Sequence, residues 1–126
     1  VQLGTRFLVA KECGVHQNYK NKVLKANDIA TMSTGKRLGH PVRSIKNPYT
    51  KEYFKLEYSN ISDEELEAYG RGALYRAAVE GDEKTGCFLA GQIAGMVNKE
   101  QTAKEIIEEI FTQAEDVLKG ATKWVK

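Results

Sequence analysis

Val1-Gln2-Leu3-Gly4-Thr5-Arg6-Phe7 opens the chain, and its reading decides the fold. Residues able to lie extended run into a glycine and a threonine, and Arg6 to Glu12 then supply helix-forming side chains. The pattern predicts a short strand over Val1 to Thr5, a Gly-Thr turn and a helix. Such a junction frees backbone N–H groups at the helix start, and a glycine lets a phosphate approach them closely. An ordinary strand-to-helix turn accounts for Gly4-Thr5 equally well, so the meaning of these residues depends on the rest of the chain.

The whole chain is 126 residues, enough for one globular unit. A complete (β/α)₈ barrel takes roughly 250 residues, and a doubly wound dinucleotide domain takes several βαβ units, so neither is complete here. Every apolar run is broken by Lys, Arg, Asp, Glu or Asn before the roughly 20 residues that span a bilayer, which predicts no membrane partner. Val1 to Ala10 lack the basic, apolar and small-residue zones of a secretory signal, and the chain does not begin with Met, so a start further upstream is expected. Cys13 and Cys87 form no CxxC pair, which leaves two reduced thiols and a cytoplasmic setting as the expectation.

The net charge of +2 hides an asymmetry. Residues 11 to 55 carry ten Lys or Arg against Glu12, Asp28 and Glu52, whereas residues 56 to 126 carry eight against fourteen acids. A segment of that sign attracts nucleic acid, an anionic cofactor or an acidic protein, although scattered lysines also describe a solvated surface.

Further along, Asn18 to Ala26 reads as a short helix with Tyr19, Val23 and Leu24 on its apolar side. Ile29 to Ser33 and Val42 to Lys46 read as two strands, joined by the turn-rich loop Thr34-Gly35-Lys36-Arg37-Leu38-Gly39-His40-Pro41. Gly35-Lys36 lacks the leading glycine and the hydroxyl of a P-loop. Asn47-Pro48 starts a turn and Tyr49 to Tyr58 a helix. Ser62-Asp63-Glu64-Glu65 is a capping box, from which one helix is predicted to run to Glu80 and stop at Gly81, burying Leu66, Tyr69, Ala73, Leu74 and Ala77. Gly70 and Gly72 weaken it by roughly 1 kcal/mol each relative to Ala.

Cys87 to Val97 is the most apolar stretch and is poor in bulky side chains. It reads as a small-residue helix start that lies against a planar ligand with Gln92 as its one amide, or as a close helix crossing at Gly91 and Gly95 with Gln92 capping a neighbour. Thr102-Ala103-Lys104-Glu105 is a second capping box. The stripe Ile106, Ile107, Ile110, Phe111, Ala114, Val117 and Leu118 predicts a helix packed on one side of a core. The two histidines, His16 and His40, have no partner at metal-ligand spacing, and no nucleophile elbow or GxGxxG loop is present.

Taken in order, Val1 to Phe7, Ala10-Lys11-Glu12, Gly39-His40-Pro41-Val42-Arg43-Ser44-Ile45-Lys46-Asn47 and Ala90-Gly91-Gln92-Ile93-Ala94-Gly95 resemble the flavin-dependent enoyl-acyl-carrier-protein reductase II family, within the wider nitronate monooxygenase (2-nitropropane dioxygenase) group. The resemblance implies an α/β fold, the C-terminal part of a TIM (β/α)₈ barrel plus a small α+β cap, mostly helical in this segment. Residues 1–13 would be the last barrel strand and FMN phosphate loop, 14–81 the cap, and 82–126 the flavin-facing segment and barrel-packing helix. It also implies cofactor contacts from Gly4, Thr5, Leu89, Gly91 and Gln92, with no metal and with the catalytic residue in a missing N-terminal barrel portion. Leu89 stands where relatives often have a methionine, and Cys87 where a small polar residue is common. The implied reaction passes a hydride from NADH or NADPH through FMN to an enoyl thioester on acyl carrier protein in fatty acid biosynthesis. The basic residues Lys36, Arg37, Arg43 and Lys46 would steer that acidic carrier, with no nucleic-acid partner. Pairing into a homodimer through uncovered apolar surface is a further expectation. Two alternatives stay open: a nitronate monooxygenase, and a non-enzymatic helical module binding nucleic acid or another partner through the basic half.

Overall fold

The structure, a computed structural model, describes residues 1–124, so the last two residues of the 82–126 segment lie outside it. Among the described residues nine helical segments and one hairpin are arranged about two adjoining cores. The chain runs through α1 (Gly4–Leu8), α2 (Gln17–Leu24), β1 (Thr31–Thr34), β2 (Val42–Ile45), α3 (Pro48–Glu57), α4 (Asp63–Gly70) and α5 (Ala73–Tyr75). A π-helical turn (Arg76–Glu80), a 3₁₀ turn (Gln92–Met96) and the long α6 (Ala103–Ala121) complete it, with a last 3₁₀ turn at Thr122–Trp124.

The opening stretch differs from its predicted form. Val1 to Leu3 are exposed without regular structure, and Thr5 lies in α1 instead of a strand. A strand is held by a ladder to a neighbour, and the only ladder among the described residues is the antiparallel β1–β2 pair, registered Thr31 to Ile45 through Thr34 to Val42. Helix α1 also stops at Leu8, short of the expected Glu12.

Phe88 to Ala90 lie extended along β2. Ile45 N donates to Phe88 O at 2.8 Å and Ala90 N to Arg43 O at 3.1 Å, around a bridge between Ser44 and Leu89. The predicted helix start at Cys87 is therefore a third extended run that ends in the 3₁₀ turn. Side chains alternate along it. Phe88 and Ala90 enter the first core with Val9, Tyr19, Val23 and Ala94, while Leu89 faces the second, built on Tyr49, Tyr53, Leu66, Ala73 and Cys87.

Both capping boxes form as read: Glu65 N donates to Ser62 Oγ and Glu105 N to Thr102 Oγ1, each at 3.2 Å. A third, between Asn47 and Thr50, starts α3, with Pro48 in the first turn where its missing N–H costs nothing. The single helix expected from Ser62 to Glu80 is broken after Gly70. Arg71 turns extended and Gly72 takes φ +74°, a conformation glycine reaches without the Cβ clash of other residues. The Arg76 guanidinium covers the break, donating to Arg71 O at 3.1 Å and Thr85 O at 3.2 Å. Leu66, Ala73 and Ala77 are buried as expected and Gly81 ends the run, but the break turns Leu74 outward to 53% exposure.

Helix α6 buries only Ile106 from its stripe. Ile107, Phe111, Val117 and Leu118 are exposed, so this helix presents a largely uncovered apolar face.

Candidate functional site

The two stretches that looked separate in sequence meet. Gly91 N donates to Thr5 Oγ1 at 2.8 Å across 86 positions. Residue 91 reaches α1 because the preceding run is fixed on both sides: β2 holds Phe88 and Ala90, and the Tyr19 hydroxyl of α2 donates to Leu89 O at 2.7 Å. Burial, then the neighbouring Cys87, pushes the Tyr19 phenol above its ordinary value, so it remains a neutral donor.

Around this junction lies an open cleft of about 550 Å³, walled by Gly4, Thr5, Leu8, Tyr19 and Arg43 together with Val42, Leu89, Ala90 and Gly91. Thr5 Oγ1 accepts from Gly91 and keeps its own proton to donate. No side chain caps the first turn of α1, and an added Cβ at Gly4 would meet nothing within 4 Å. Arg43 brings one cationic side chain, steadied by a 3.1 Å hydrogen bond to Thr31 Oγ1. Hydroxyl, free main chain and guanidinium together make a donor set for an anionic oxygen, beside apolar walls that accept a flat ring.

Four of the five residues singled out from sequence, Gly4, Thr5, Leu89 and Gly91, line this one cleft. Gln92 does not; it is exposed at the start of the 3₁₀ turn. The close approach suspected at Gly95 is made to the backbone of Asn27, in the loop after α2, and not to another helix. Tyr19, Leu8 and Val42 had no local sequence signal as wall residues, since their position comes from α1, α2 and β2 converging. Arg43 was visible only as a surface cation.

Two of the four basic residues expected to steer a partner have structural roles. Arg37 binds Asp63 Oδ1 at 2.8 Å, Ser59 O at 3.1 Å and Ile61 O at 2.6 Å, which ties the hairpin loop to the α3–α4 connection. Lys46 Nζ donates to Ile29 O at 2.7 Å. Among the described residues no group of three or more His, Cys, Asp or Glu is placed to hold a metal ion, both cysteines are free, and no helix is long and apolar enough to cross a membrane.

Fold and cleft define a mostly helical α/β unit with one small hairpin, whose site is walled jointly by its first and its later segments. A family model, nitronate monooxygenase, matches residues 1–113, and the chain belongs to that family. A curated relative, a probable nitronate monooxygenase from Bacillus subtilis (strain 168), is 24% identical over 110 residues, which cover 87% of this chain and 32% of the relative. A solved structure of FabK from Thermotoga maritima superimposes with a TM-score of 0.94 at 36% identity, covering 99% of this chain and 40% of that one. A mutant of the same FabK gives 0.83 at 33% identity, over 99% and 37%. The chain thus spans about a third of the curated relative and two-fifths of the solved chain.

Proposed function

We propose that this chain is the C-terminal portion of an FMN-dependent NAD(P)H enoyl-acyl-carrier-protein reductase. The observation that carries the reading is the superposition on FabK over 99% of the chain at 36% identity, against 24% for the nitronate monooxygenase relative. FabK is the flavin-dependent enoyl-acyl-carrier-protein reductase II, the family that the sequence resembles.

The residues fit a flavin phosphate. Gly4 offers unobstructed main chain, Thr5 a hydroxyl proton held in place by Gly91, and Arg43 a positive charge on the same cleft. The chemistry supplied by bound FMN is hydride relay from NADH or NADPH to the enoyl double bond. This chain's own residues hold and orient: Thr5 and Gly91 fix the distance between α1 and the 88–91 run, Leu89 presents an apolar wall, and Tyr19 keeps Leu89 from swinging away. No catalytic residue is assigned here; that role falls to the N-terminal barrel portion.

In this reading residues 1–13 end the barrel and supply the phosphate loop, 14–81 form the cap, and 82–126 return to the flavin and back to the barrel. The bare face of α6, with Phe111 67% exposed, is the surface the barrel covers, and a second copy would be its alternative cover. Lys36 remains the cation offered to an acidic carrier protein, in a cytoplasmic enzyme.

A nitronate monooxygenase is the second reading, favoured by the family model over residues 1–113. The full-length protein separates the two: NADH oxidation with a crotonyl thioester is expected for the reductase, and oxygen uptake with an alkyl nitronate overturns it.

A further inference from the structure

Lysines from three separate segments gather on one face. Helix α2 and the first turns of α3 border an open groove of about 710 Å³, with Glu83 and Lys84 of the following loop at its edge. Asn47 brings that loop in: its Nδ2 donates to Glu83 O at 3.1 Å and to Gly86 O at 2.7 Å, which seats the loop against the start of α3. Lys22 Nζ reaches across from α2 to Glu83 Oε2 at 3.0 Å. A neighbouring hollow between α2 and the end of β2 shares Lys22, Lys46 and Glu83 with the groove and adds Lys25.

Six lysines thus face one surface against two carboxylates, Glu52 and Glu83. Three of the six are committed: Lys22 to Glu83, Lys46 to Ile29 O and Lys55 to Glu52. Lys25, Lys51 and Lys84 are exposed, and among the described residues their ammonium groups have no partner. Unpaired like charges on a concave surface focus the field and draw in a partner of opposite sign.

Helix α3 adds apolar anchors. Lys51, Phe54, Lys55 and Tyr58 follow at i, i+3, i+4 and i+7, so they form one exposed strip. The Phe54 and Tyr58 rings pack at 4.9 Å and are 41% and 65% exposed. Aromatic anchors among cations suit a folded acidic protein, whose carboxylates meet the lysines and whose apolar side chains meet the rings. A nucleic-acid backbone would carry its phosphates past Glu52 and Glu83 and leave both rings idle. Lys36 stands beyond the far end of α3, in the loop whose Arg37 N donates to Glu57 Oε1 at 2.9 Å.

The groove is also near the cleft. Arg43 walls the cleft and Ile45 the hollow beside the groove, two residues apart on β2, or about 7 Å. Tyr19 of the cleft and Lys22 of the groove are one turn apart on α2. Both spaces are open to solvent, so an extended phosphopantetheine arm runs from one to the other over the surface with no wall to cross.

We propose that the α2–α3 groove and the outer strip of α3 dock the acidic carrier protein, with Lys25, Lys51 and Lys84 as steering charges and Phe54 and Tyr58 as anchors. The identity of the partner rests on the reductase reading, while the docking face follows from the charges and rings themselves.

The test uses the full-length protein. Acetic anhydride labels accessible lysines, and mass spectrometry reads each site with and without butyryl-acyl-carrier-protein, a saturated ligand that is not turned over. Lys25, Lys51 and Lys84 are expected to be labelled in the free protein and shielded in the complex. In parallel, Lys51→Glu combined with Lys84→Glu is expected to raise the KM for crotonyl-acyl-carrier-protein about tenfold, the low end of electrostatic focusing, and to leave the KM for crotonyl pantetheine as it was. Salt at about 1 M, where the Debye length is about 3 Å, should erase the difference between variant and wild type. Equal KM changes for both substrates overturn the proposal. So do three lysines already shielded in the free protein, which would give the groove to the barrel. Turnover of crotonyl-acyl-carrier-protein without shielding by the carrier removes the docking face and leaves the reductase reading standing. Shielding without turnover does the reverse.

Discussion

Gly91 N lies 2.8 Å from Thr5 Oγ1, so one hydroxyl joins the start of the chain to the run that crosses β2. Thr5→Val keeps the shape and removes the acceptor, leaving the Gly91 N–H in a half-buried position without a partner. The expected loss is about 1–3 kcal/mol of stability, together with at least tenfold weaker FMN binding, because the same substitution deletes the spare proton. Thr5→Ser should restore most of both. Fluorescence titration with FMN and a thermal melt of the full-length protein check this; wild-type flavin affinity in Thr5→Val would refute the role given to the hydroxyl.

Lys20 is 4% exposed, yet its ammonium is satisfied, donating to Ala10 O at 2.7 Å and Lys11 O at 3.3 Å and pairing with Glu100 at 3.2 Å. It pins the α1–α2 connection to the segment before α6. Lys20→Met fills similar volume but takes the donor from Lys11 O and the counter-charge from the part-exposed Glu100, while Ala10 O keeps its bond from Cys13 N at 3.0 Å. A destabilisation of about 2–3 kcal/mol is expected, below the 3–5 typical of a fully buried pair. Chemical denaturation measures it, and a change under 0.5 kcal/mol would show that water replaces the ammonium.

Gly95 packs on the main chain of Asn27, where an added Cβ would sit 2.6 Å from the Asn27 carbonyl carbon and 2.8 Å from Asp28 N. Backbone cannot rotate aside as a side chain does. Gly95→Ala should therefore cost about 1–3 kcal/mol through overpacking, although alanine is otherwise the better residue in a helical turn. A melting temperature at or above wild type would contradict the close contact.

Asp82 gives the acid response a definite sign. A hydrogen bond from the Thr85 hydroxyl, then those from Lys84 N and Thr85 N, hold its carboxyl below the ordinary 3.8. The folded chain prefers the carboxylate, so this contribution is present above the unfolded pKa and is lost as pH falls through the folded one. NMR titration should show a midpoint for Asp82 below that of a free aspartate, and Asp82→Asn should weaken the dependence of stability on pH below 3.8. A midpoint at or above the ordinary value would mean that the Thr85 bonds do not persist in solution.

Local chemistry was readable without the structure. Ser62 to Glu65 and Thr102 to Glu105 cap their helices because each box closes its bonds within four residues, and the hairpin over 31–45 follows from strands separated by a loop rich in turn formers. Gly4, Thr5, Leu89 and Gly91 could be named through their resemblance to a family motif. That they share a cleft is a tertiary fact.

What the sequence determined by itself was the caps, the hairpin, the stop at Gly81 and the amphipathic pattern of α6, each fixed by side chains near in sequence. Tertiary structure decided the remainder. Val1 to Leu3 are not a strand because none of the described residues offers them a ladder. The helix after Ser62 breaks at Gly72 because Arg76 and the packing of Cys87, whose N–H donates to Ala73 O at 2.9 Å, make the broken form bondable. Cys87 to Ala90 lie extended although their composition suits a helix, since β2 supplies hydrogen bonds that helix propensity, a few tenths of a kcal/mol per residue, cannot outweigh. Periodicity sets which face of a segment is apolar; only the arrival of other segments sets whether that face is covered, and for most of α6 none of the described residues arrives.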